Sequence, residues 1–398
     1  MKEENNKYRL LLVVPYTLPD YSGSGINAFQ FARFLRMEGE RTTLLTFNRN
    51  LKLKAKEIVD GVLIKRIAYF NRNMLTKILS MFIIFPAYLV NILRHDIILI
   101  YGAHVIGYQL LIVLARFFRK EVLLQSLLLG ADDVETILEP ESRILRYINH
   151  SVLKRISLYF AINPEFARIY HKNMPENCKV LVSPQGFDPA YFHPARQDEY
   201  AEIRKRWHIK NSCLVILSVG FVITRKGYNE IFEALADLDL DFKYYIVGEY
   251  EFGPDHFLSN EAHRAQKIKK NGEQLLGDRL FFEGPKKQIL EYYQMSDIVL
   301  FNAKQEGTPN TLLESMASGK PVLARRISGL GDYIIFHEKN GLLFSGSHQI
   351  GSLIRKLNND PGLRMELASR AADFIIKEAD FGIVWQRLLA GLYGEQEK

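Results

Sequence analysis

Cysteine is nearly absent from this chain, which contains only Cys178 and Cys213 among its 398 residues. Two thiols cannot build a disulfide framework or a four-ligand zinc site, and their scarcity is typical of a protein in a reducing cytosol. The N-terminal residues carry charges and only a five-residue apolar run, so we expect no signal peptide. These shortages exclude the disulfide-rich secreted class and predict a cytoplasmic protein.

The sequence also lacks an apolar run of the length that a membrane span requires. The most apolar stretch, residues 78–93, has sixteen residues and contains Pro86 and Asn91, whereas a spanning helix needs about 20. We therefore expect a buried or partly buried helix here. A helix lying in the membrane interface is the alternative.

Acidic residues are scarce in the first half of the chain. Residues 1–200 hold 26 Lys and Arg against 19 Asp and Glu, whereas residues 201–398 hold 26 of each kind. A basic segment before an apolar stretch is attracted to an anionic membrane, although a solvated basic face fits equally well. No nucleic-acid-binding motif accompanies the charge, so nucleic acid is not an expected partner. The cations of this segment, residues 49–77, are Arg49, Lys52, Lys54, Lys56, Lys65, Arg66, Arg72 and Lys77.

The length and the pattern of apolar runs together predict the fold class. A chain of 398 residues is too long for one compact core, so two domains are expected. In both halves short apolar runs alternate with amphipathic stretches, the pattern of helices around parallel sheets. Pro189 and Pro194 bracket a connector between the two series. We predict an α/β protein of two Rossmann-like, doubly wound parallel-sheet domains that face each other across a cleft.

The segment "EGTPNTLLESMASGKPV", residues 306–322, places Glu306 and Glu314 on either side of a predicted helix start. It follows an apolar strand, and we expect Thr308 at the N-cap and Pro309 at the first helical position. A helix start attracts phosphate, and ionised carboxylates accept hydrogen bonds from sugar hydroxyls. A nucleotide sugar would satisfy these features together. Alternatively, Glu306 stabilises the helix start and Glu314 is a solvated helix residue.

A second loop adds positive charge at the carboxyl end of a neighbouring predicted strand. In "SVGFVITRKG", Arg225 and Lys226 precede Gly227 at a helix entrance. Two cations there are suited to neutralise a diphosphate, although an exposed basic turn is the alternative. The GxxxxGK[ST] pattern of a P-loop is absent.

At this point the sequence resembles a known family, the retaining GT-B glycosyltransferases of the large GT4 family. The carboxylate segment is similar to the family's E-x7-E motif, and "VGFVITRKG" is similar to its donor-phosphate loop. "VSPQGFDPAYFHP" resembles the family linker, and "FGIVWQRLLAGLY" resembles the C-terminal helix that crosses back onto the first domain. The resemblance implies an acceptor-binding domain over residues 1–190, a nucleotide-sugar-binding domain over 191–375 and a returning helix over 376–398.

The resemblance also implies roles for individual residues. Glu306 would bind hydroxyls of the donor sugar, Glu314 would hold the ribose, and Lys226 would bind the diphosphate and stabilise the departing nucleoside diphosphate. Phe221 stands where the family commonly has an arginine, and Arg225 is the candidate to replace it. The implied donor-binding set is Gly307, Thr308, Pro309, Asn310, Glu314, Gly220 and Lys286.

The first half contains a glycine loop at a predicted helix start. Gly23, Ser24, Gly25 and Ala28 formally fit the dinucleotide pattern G-x-G-x-x-A. We reject that interpretation because the glycines do not directly follow the strand and no ribose-binding acid ends the second strand. The helix is expected over "INAFQFARFLRMEG", residues 26–39. The resemblance implies that the loop before it faces the acceptor and the donor phosphates.

Three further residues of the first half are candidates for the acceptor side. Asp132 and Asp133 follow a strand, near the position where many relatives have a histidine and glycine pair. Either aspartate could orient an acceptor hydroxyl, and helix capping is an equal alternative. His104 follows another strand, where we expect a buried, hydrogen-bonded histidine rather than one lining a cleft.

These features predict a retaining, metal-independent hexosyltransferase. The donor would be a UDP- or GDP-linked sugar and the acceptor a glycan or a lipid-linked molecule, in bacterial surface polysaccharide synthesis. No cofactor is expected, since no cluster of metal-binding residues is evident in the sequence. The expected location is the cytoplasm, with contact to the inner face of the membrane through residues 49–93. The alternatives are a nucleotide-sugar epimerase and a non-catalytic nucleotide-sugar-binding partner.

Overall fold

The computed structural model describes residues 8–20, 22–49, 51, 53–70, 73–140, 142–174 and 178–394. The chain divides into two compact units: one runs to Asp188 and resumes at Phe381, and the other is Pro189–Asp380. The first boundary lies two residues before the expected one and the second lies five residues after it. The second differs because the last helix of the second unit continues to Ala379.

The first unit is built on an eight-stranded sheet. Its strands are β1 (Arg9–Val13), β2 (Arg41–Asn48), β3 (Lys56–Val59), β4 (Val62–Ala68), β5 (Ile97–Tyr101), β6 (Glu121–Ser126), β7 (Leu158–Ala161) and β8 (Lys179–Val182). They lie in the order β3-β4-β2-β1-β5-β6-β7-β8, and every pair is parallel except β3–β4. Its helices are α1 (Gly23–Met37), α2 (Met74–Arg94), α3 (Tyr108–Phe117), α4 (Val134–Leu138), α5 (Arg143–Leu153), α6 (Pro164–Asn173) and α14 (Phe381–Tyr393).

The strand order determines which face of this sheet each helix covers. Crossover connections between parallel strands are right-handed, and the chain moves one way from β1 to β2 and the other way from β4 through β8. Consequently α1 covers one face, whereas α2, α3, α5 and α6 cover the opposite face. Packing agrees with this arrangement, since α3 contacts both α2 and α5.

Helix α2 is longer and more exposed than the sequence suggested. It runs for 21 residues. Residues 75–94 are apolar and long enough to cross a membrane by length and composition, although only 28% of the most apolar part of this helix is buried. Of the expected buried or partly buried helix, the structure shows the partly buried form. The basic segment before it, residues 49–77, exposes fewer of its cations than expected, because Arg66 is buried against Glu57 and the carbonyl of Leu18. Lys52 and Arg72 lie outside the described residues.

The C-terminal helix α14 belongs to the first unit and packs beside α1. The rings of Phe381 and Phe31 have centroids 5.1 Å apart, and those of Trp385 and Tyr8 are 6.0 Å apart. The backbone N–H of Phe381 donates to the carbonyl of Phe187 at 3.1 Å. The segment just before the boundary at Asp188 and the returning helix thus share one contact region.

Gly186 makes that contact region sensitive to a single added methyl group. Its φ is +90°, and a Cβ on this residue would lie 2.6 Å from Cδ1 of Phe381. We expect Gly186→Ala to lower the free energy of unfolding by about 2–4 kcal/mol, through overpacking and backbone strain. Gly61→Ala is the matched control, because Gly61 has φ +80° but its nearest contact would be 3.7 Å away. Urea unfolding of the two variants measures the difference, and equal losses would contradict the packing argument.

The second unit is a smaller sheet with all strands parallel. Its strands are β9 (Leu214–Val219), β10 (Phe242–Val247), β11 (Leu280–Gly284), β12 (Ile298–Phe301), β13 (Val322–Arg325) and β14 (Leu342–Phe344). Their order is β11-β10-β9-β12-β13-β14. Its helices are α7 (Gln197–Arg206), α8 (Tyr228–Ala236), α9 (Ala262–Leu276), α10 (Leu290–Met295), α11 (Asn310–Ala317), α12 (Ile350–Asn359) and α13 (Pro361–Ala379). The direction of winding reverses between β9 and β12, where doubly wound sheets bind ligands.

Candidate functional site

The loops after β9 and β12 bring the predicted acid and the two predicted cations together. After β9 the chain passes Gly220 and forms a 3-10 turn over Thr224–Lys226 before α8. After β12 it runs through Glu306 to α11. Because β9 and β12 are parallel neighbours, both loops lie at the same edge of the sheet, at its switch point.

Glu306 contacts both cations with the same oxygen. Its Oε1 lies 2.7 Å from Nζ of Lys226 and also accepts a hydrogen bond from Nη1 of Arg225. Arg225 donates in addition to the carbonyl of Gln305 at 3.0 Å. The side chains of Glu306 and Lys226 are 12% and 13% exposed, and that of Arg225 is 33% exposed. The cluster of Arg225, Lys226 and Glu306 is therefore a partly enclosed group of one acid and two cations.

The electrostatics of this cluster leave a positive charge in excess. Burial alone would raise the pKa of Glu306, but the charges of Lys226 and Arg225 and their hydrogen bonds outweigh it, so the pKa is lowered. Burial, together with Arg225, lowers the pKa of Lys226, while Glu306 acts in the opposite direction. With all three groups ionised, one carboxylate neutralises only one of the two cations. The remaining charge favours an anionic ligand.

Glu314 occupies a different environment, one helical turn inside α11. It is 7% exposed, and its Oε2 accepts a hydrogen bond of 2.7 Å from the hydroxyl of Tyr293, which is fully buried. Burial raises the pKa of Glu314 to about 7, and the Tyr293 hydrogen bond offsets part of that rise. The alternative of a solvated helix residue is therefore wrong. Glu314 is a buried acceptor whose charge depends on pH near neutrality.

The raised pKa of Glu314 predicts how stability depends on pH. Since its folded pKa exceeds the unfolded value of about 4.3, the group stabilises the fold below that value, and this contribution is lost as the pH rises through about 7. We expect the wild type to lose about 3 kcal/mol of unfolding free energy, relative to Glu314→Gln, between pH 4.5 and 8. Urea titrations of both proteins across this range measure it. A pH-independent difference between the two proteins would show that Glu314 titrates normally.

Helix α11 begins slightly later than expected. Pro309 takes the N-cap position with an extended backbone, and Asn310 is the first helical residue, so the expected positions of Thr308 and Pro309 are each wrong by one. The carbonyl of Pro309 accepts from Leu312 N at 3.1 Å, and a proline is tolerated at this end because no helical N–H is needed there. Gly307 and Thr308 are buried beside Glu306, and Thr311 Oγ1 ties the helix to the carbonyl of Val219 at 3.2 Å.

Glycines allow the close backbone approach at the ends of β9 and β10. Gly220 has φ +134°, and a Cβ on it would lie 3.5 Å from Nζ of Lys226. The carbonyl of Gly220 in turn would lie only 2.1 Å from a Cβ on Gly248. The Gly220 backbone therefore lies against the Lys226 side chain.

A polar network that the sequence analysis missed holds the two loops in place. Nδ2 of Asn302 donates to the carbonyl of Gly227 at 2.7 Å, and its Oδ1 accepts from Nε of Arg325 at 2.8 Å. Glu230 accepts from Arg325 and lies 2.6 Å from Nζ of Lys304. Asn302 directly follows β12 and Arg325 ends β13, so the rule that chemistry collects at strand ends could have identified both.

Two other second-unit residues lie apart from the cluster of Arg225, Lys226 and Glu306. Lys286 forms an ion pair with Glu283 at 3.1 Å beyond the edge strand β11, and the structure does not bring it to Glu306. Phe221 packs among aromatic rings, with centroids 5.6 Å from Phe257 and 6.0 Å from Phe252. Arg225, rather than a residue at position 221, supplies the guanidinium that contacts Glu306.

In the first unit the glycine loop lies inside α1. The helix begins at Gly23, not at Ile26, because the Ser22 hydroxyl caps it by accepting from Gly25 N at 3.2 Å. Gly23, Ser24 and Gly25 thus form its first turn. A Cβ on Gly25 would lie 2.2 Å from the carbonyl of Tyr16, so its lack of a side chain is explained by protein packing.

The aspartate pair proves to be structural in its contacts, whereas His104 is exposed. Asp133 caps α4 by accepting from Thr136 N at 2.9 Å. Asp132 accepts from the N–H groups of Leu127 and Leu128 at 2.9 and 2.8 Å. Burial raises the pKa of Asp132 to about 6, against the effects of these N–H groups and of nearby His104. The expectation of a buried His104 is wrong, since the turn after β5 leaves it on the surface.

The fold and this arrangement at the switch point define a class of protein. Two Rossmann-like units, with an acid and two cations at the reversal of the second sheet, are typical of the GT-B fold, and the predicted fold class is confirmed. Residues 199–374 match the family model described as glycosyl transferases group 1. This match covers most of the second unit and supports the resemblance to a group 1 glycosyltransferase of GT-B fold.

Individual relatives agree with this assignment. The chain is 27% identical over 228 residues to a D-inositol 3-phosphate glycosyltransferase of Acidothermus cellulolyticus, which covers 54% of this chain and 47% of the relative. It is 24% identical over 213 residues to the lipopolysaccharide glucosyltransferase WaaG of Escherichia coli, covering 52% and 53%. The chain thus spans about half the length of these curated relatives. The solved structure of Anabaena HepE in complex with UDP-glucose superposes with a TM-score of 0.73 at 18% identity, covering 98% of this chain and all of that one.

Among the described residues, no group of three or more histidine, cysteine or acidic side chains is placed to hold a metal ion.

Proposed function

We propose that this protein transfers a hexose-type sugar from a nucleotide-sugar donor to a glycan or lipid-linked acceptor, with retention at the anomeric carbon. The observation that carries the proposal is the contact of Glu306 with both Lys226 and Arg225 at the switch point of the second unit. A net positive, partly enclosed group beside the start of α11 suits a pyrophosphate. The group 1 family match over the same unit supports it.

Each group of the site has a role in this proposal. Lys226 and Arg225 bind the diphosphate, Glu306 accepts hydrogen bonds from the donor sugar, and the backbone of Gly307–Thr308 meets the sugar and phosphate. Glu314, which is buried and already accepts one hydrogen bond from Tyr293, accepts a second from the ribose. The bound anion competes with Glu306 for the two cations and so weakens their contacts with this carboxylate. The carboxylate is thereby freed to accept from hydroxyls.

The chemistry follows from where charge develops. Cleavage of the bond between the sugar and the diphosphate leaves negative charge on the β-phosphate, and preorganised cations stabilise that charge more than they stabilise the ground state. Lys226, Arg225 and the N–H groups of α11 are the donors that this chain provides. We propose that they serve without a metal ion, and that the acceptor hydroxyl attacks the anomeric carbon from the face on which the nucleoside diphosphate departs and passes its proton to the departing β-phosphate oxygen.

The comparisons also support a donor and a setting. HepE was solved with UDP-glucose, so a UDP-linked sugar is the first donor to test, followed by a GDP-linked one. WaaG is named for lipopolysaccharide glucosylation, which supports bacterial surface polysaccharide synthesis. We propose a cytoplasmic protein that contacts the inner face of the membrane through residues 49–93.

A donor panel tests the proposed activity. The protein is incubated with UDP-, GDP- and ADP-linked hexoses, with and without a membrane lipid extract as acceptor, and the released nucleoside diphosphate is measured. Release that depends on acceptor supports transfer. An isomerised donor without release would instead show an epimerase, and tight donor binding without either product would show a non-catalytic binding partner.

A further inference from the structure

The outer helical face of the first unit has an unusual distribution of polar and apolar side chains. This face contains α2, α3 and α5, which lie side by side with α3 in the middle. In most surface helices the apolar stripe faces the core and polar residues face water. Here α2 and α5 also expose several large apolar residues outward, and a few polar residues are buried among the apolar ones on their inner sides.

Helix α5 shows this exposure most clearly. Ile144 and Tyr147 are 74% and 75% exposed, and Ile148 is exposed beside them. Residues three and four apart share one face of a helix, so these three side chains form a continuous apolar ridge. Asn149 is buried on the opposite side, with Val152 and Leu153.

Specific hydrogen bonds fix the orientation of α5. Oδ1 of Asn149 accepts from the hydroxyl of Tyr108 at 3.2 Å and from Nε2 of Gln109 at 3.1 Å, both on α3. Its Nδ2 donates to the carbonyl of Ile137 at 2.6 Å. Turning the helix to bury Ile144 would break all three bonds and leave buried polar groups unsatisfied. The outward ridge is therefore a built feature of the fold.

Helix α2 shows the same outward apolar exposure two helices away. Its buried side contains Ile84, Tyr88 and Ile92 together with Ser80 and Asn91, and Asn91 accepts from Nζ of Lys65 at 2.7 Å. Its outer side exposes Leu75, Leu79 and Phe82, the last to 74%. Because the inner side is bonded to the unit, α2 cannot span a bilayer without leaving the fold. It is suited to lie against one.

The charges on these helices are mostly positive, and among the described residues the acids nearest to α5 in the chain are Glu135, which pairs with Lys172, and the exposed Glu139. Residues 61–120 contain a single acid, Asp96, and it is already paired with Arg9 and Lys120. Residues 143–155 contain four Lys and Arg and no acid. A second copy of the chain on this face would place like charges opposite each other, whereas an anionic surface would neutralise them. The exposed cations bordering the two ridges are Lys77, Arg94, Arg119, Arg143, Arg146, Lys154 and Arg155.

We propose that α5 and α2 together form a docking surface for an anionic lipid bilayer, with the ridge of Ile144, Tyr147 and Ile148 inserting into the interface. This extends the membrane contact beyond residues 49–93 to a helix that the sequence analysis did not single out. It rests on the proposed function, since a lipid-linked acceptor would reach the enzyme at this surface. Apolar side chains supply affinity and the bordering cations supply preference for anionic lipid.

Vesicle flotation tests the docking surface with substitutions that the fold should tolerate. The variant I144S/Y147S/I148S is compared with M365S/I376S/L275S, which removes three comparably exposed apolar residues from the second unit. Vesicles of phosphatidylcholine with about 30% phosphatidylglycerol are compared with pure phosphatidylcholine. We expect the first variant to lose about tenfold or more in partitioning to anionic vesicles, and the control to match the wild type. R143E/R146E should lose binding to anionic vesicles selectively, and added salt should weaken wild-type binding.

The readouts separate failure of docking from failure of the proposed activity. Flotation is measured without donor, and nucleoside diphosphate release is measured with the membrane lipid extract dissolved in detergent instead of vesicles, so a wild type that floats but never releases nucleotide would refute only the activity. Equal flotation of wild type and I144S/Y147S/I148S would overturn the docking surface, as would a wild type that never floats. So would a wild-type dimer in sedimentation that the same variant converts to monomer without any flotation, because the ridge would then be a contact between copies.

Discussion

Replacing Lys226 by alanine is expected to lower kcat by more than about 100-fold, the scale for losing one preorganised electrostatic group. Its side chain is only 13% exposed and its Nζ lies 2.7 Å from Glu306, so the ammonium is held in place before any ligand arrives. A group that needs no reorganisation stabilises the charge that develops on the leaving phosphate. Arg225 would remain in the variant, but it would still be engaged by Glu306.

The variant Lys269→Ala is the matched control for this loss. Lys269 also contacts a glutamate, Glu273, and lies near an aromatic ring, that of Tyr250, but it is on the surface of α9. Turnover of donor by the two variants is measured at saturating donor, alongside urea unfolding to confirm that both are folded. A Lys226→Ala enzyme with wild-type kcat would show that Lys226 has no role in the chemical step, whatever the effect of the substitution on donor affinity.

The convergence of the two loops could be predicted from the sequence because it depends on a general property of parallel sheets. Apolar runs marked β9 and β12 as buried strands, and the loops at their carboxyl ends contained Lys226 and Glu306. Once both strands belong to one parallel sheet, their loops share an edge. Lys226 and Glu306 have side chains long enough to meet across that edge, and their charged groups are 2.7 Å apart.

Other features depend on tertiary packing and could not be predicted from local pattern. The short strand β14 pairs with β13, and the hairpin of β3 and β4 adds an edge to the first sheet; none of these runs stood out as a strand. The orientation of α5 was equally hidden, because apolar residues lie on both sides of this helix. The bonds of Asn149 to α3 and the burial of Val152 and Leu153 decide which side faces the protein.

The Glu306→Gln variant is expected to reduce kcat by more than about 100-fold as well, for a different reason. Glutamine has nearly the same shape and still accepts hydrogen bonds, but it carries no charge and replaces one acceptor by a donor. Two cations would then remain beside each other without an acid, in a site where Glu306 now contacts both. The sugar hydroxyls would lose a charge-assisted acceptor.

Glu291→Gln is the matched control for Glu306→Gln, because it also removes an acid that bridges two donors. Glu291 accepts from Arg206 and from the indole N–H of Trp207, elsewhere in the same unit. It should retain the wild-type kcat.

Combining Glu306→Gln with Lys226→Ala shows whether the two residues act as one unit. Residues in direct contact couple by about 0.5–3 kcal/mol, and catalytic groups that act together are not additive. We therefore expect the double variant to lose much less than the product of the two single losses, because each substitution already disrupts the same contact. Strictly multiplicative losses would mean that Lys226 and Glu306 act on separate parts of the reaction, and that their contact in the free protein has no part in positioning either one.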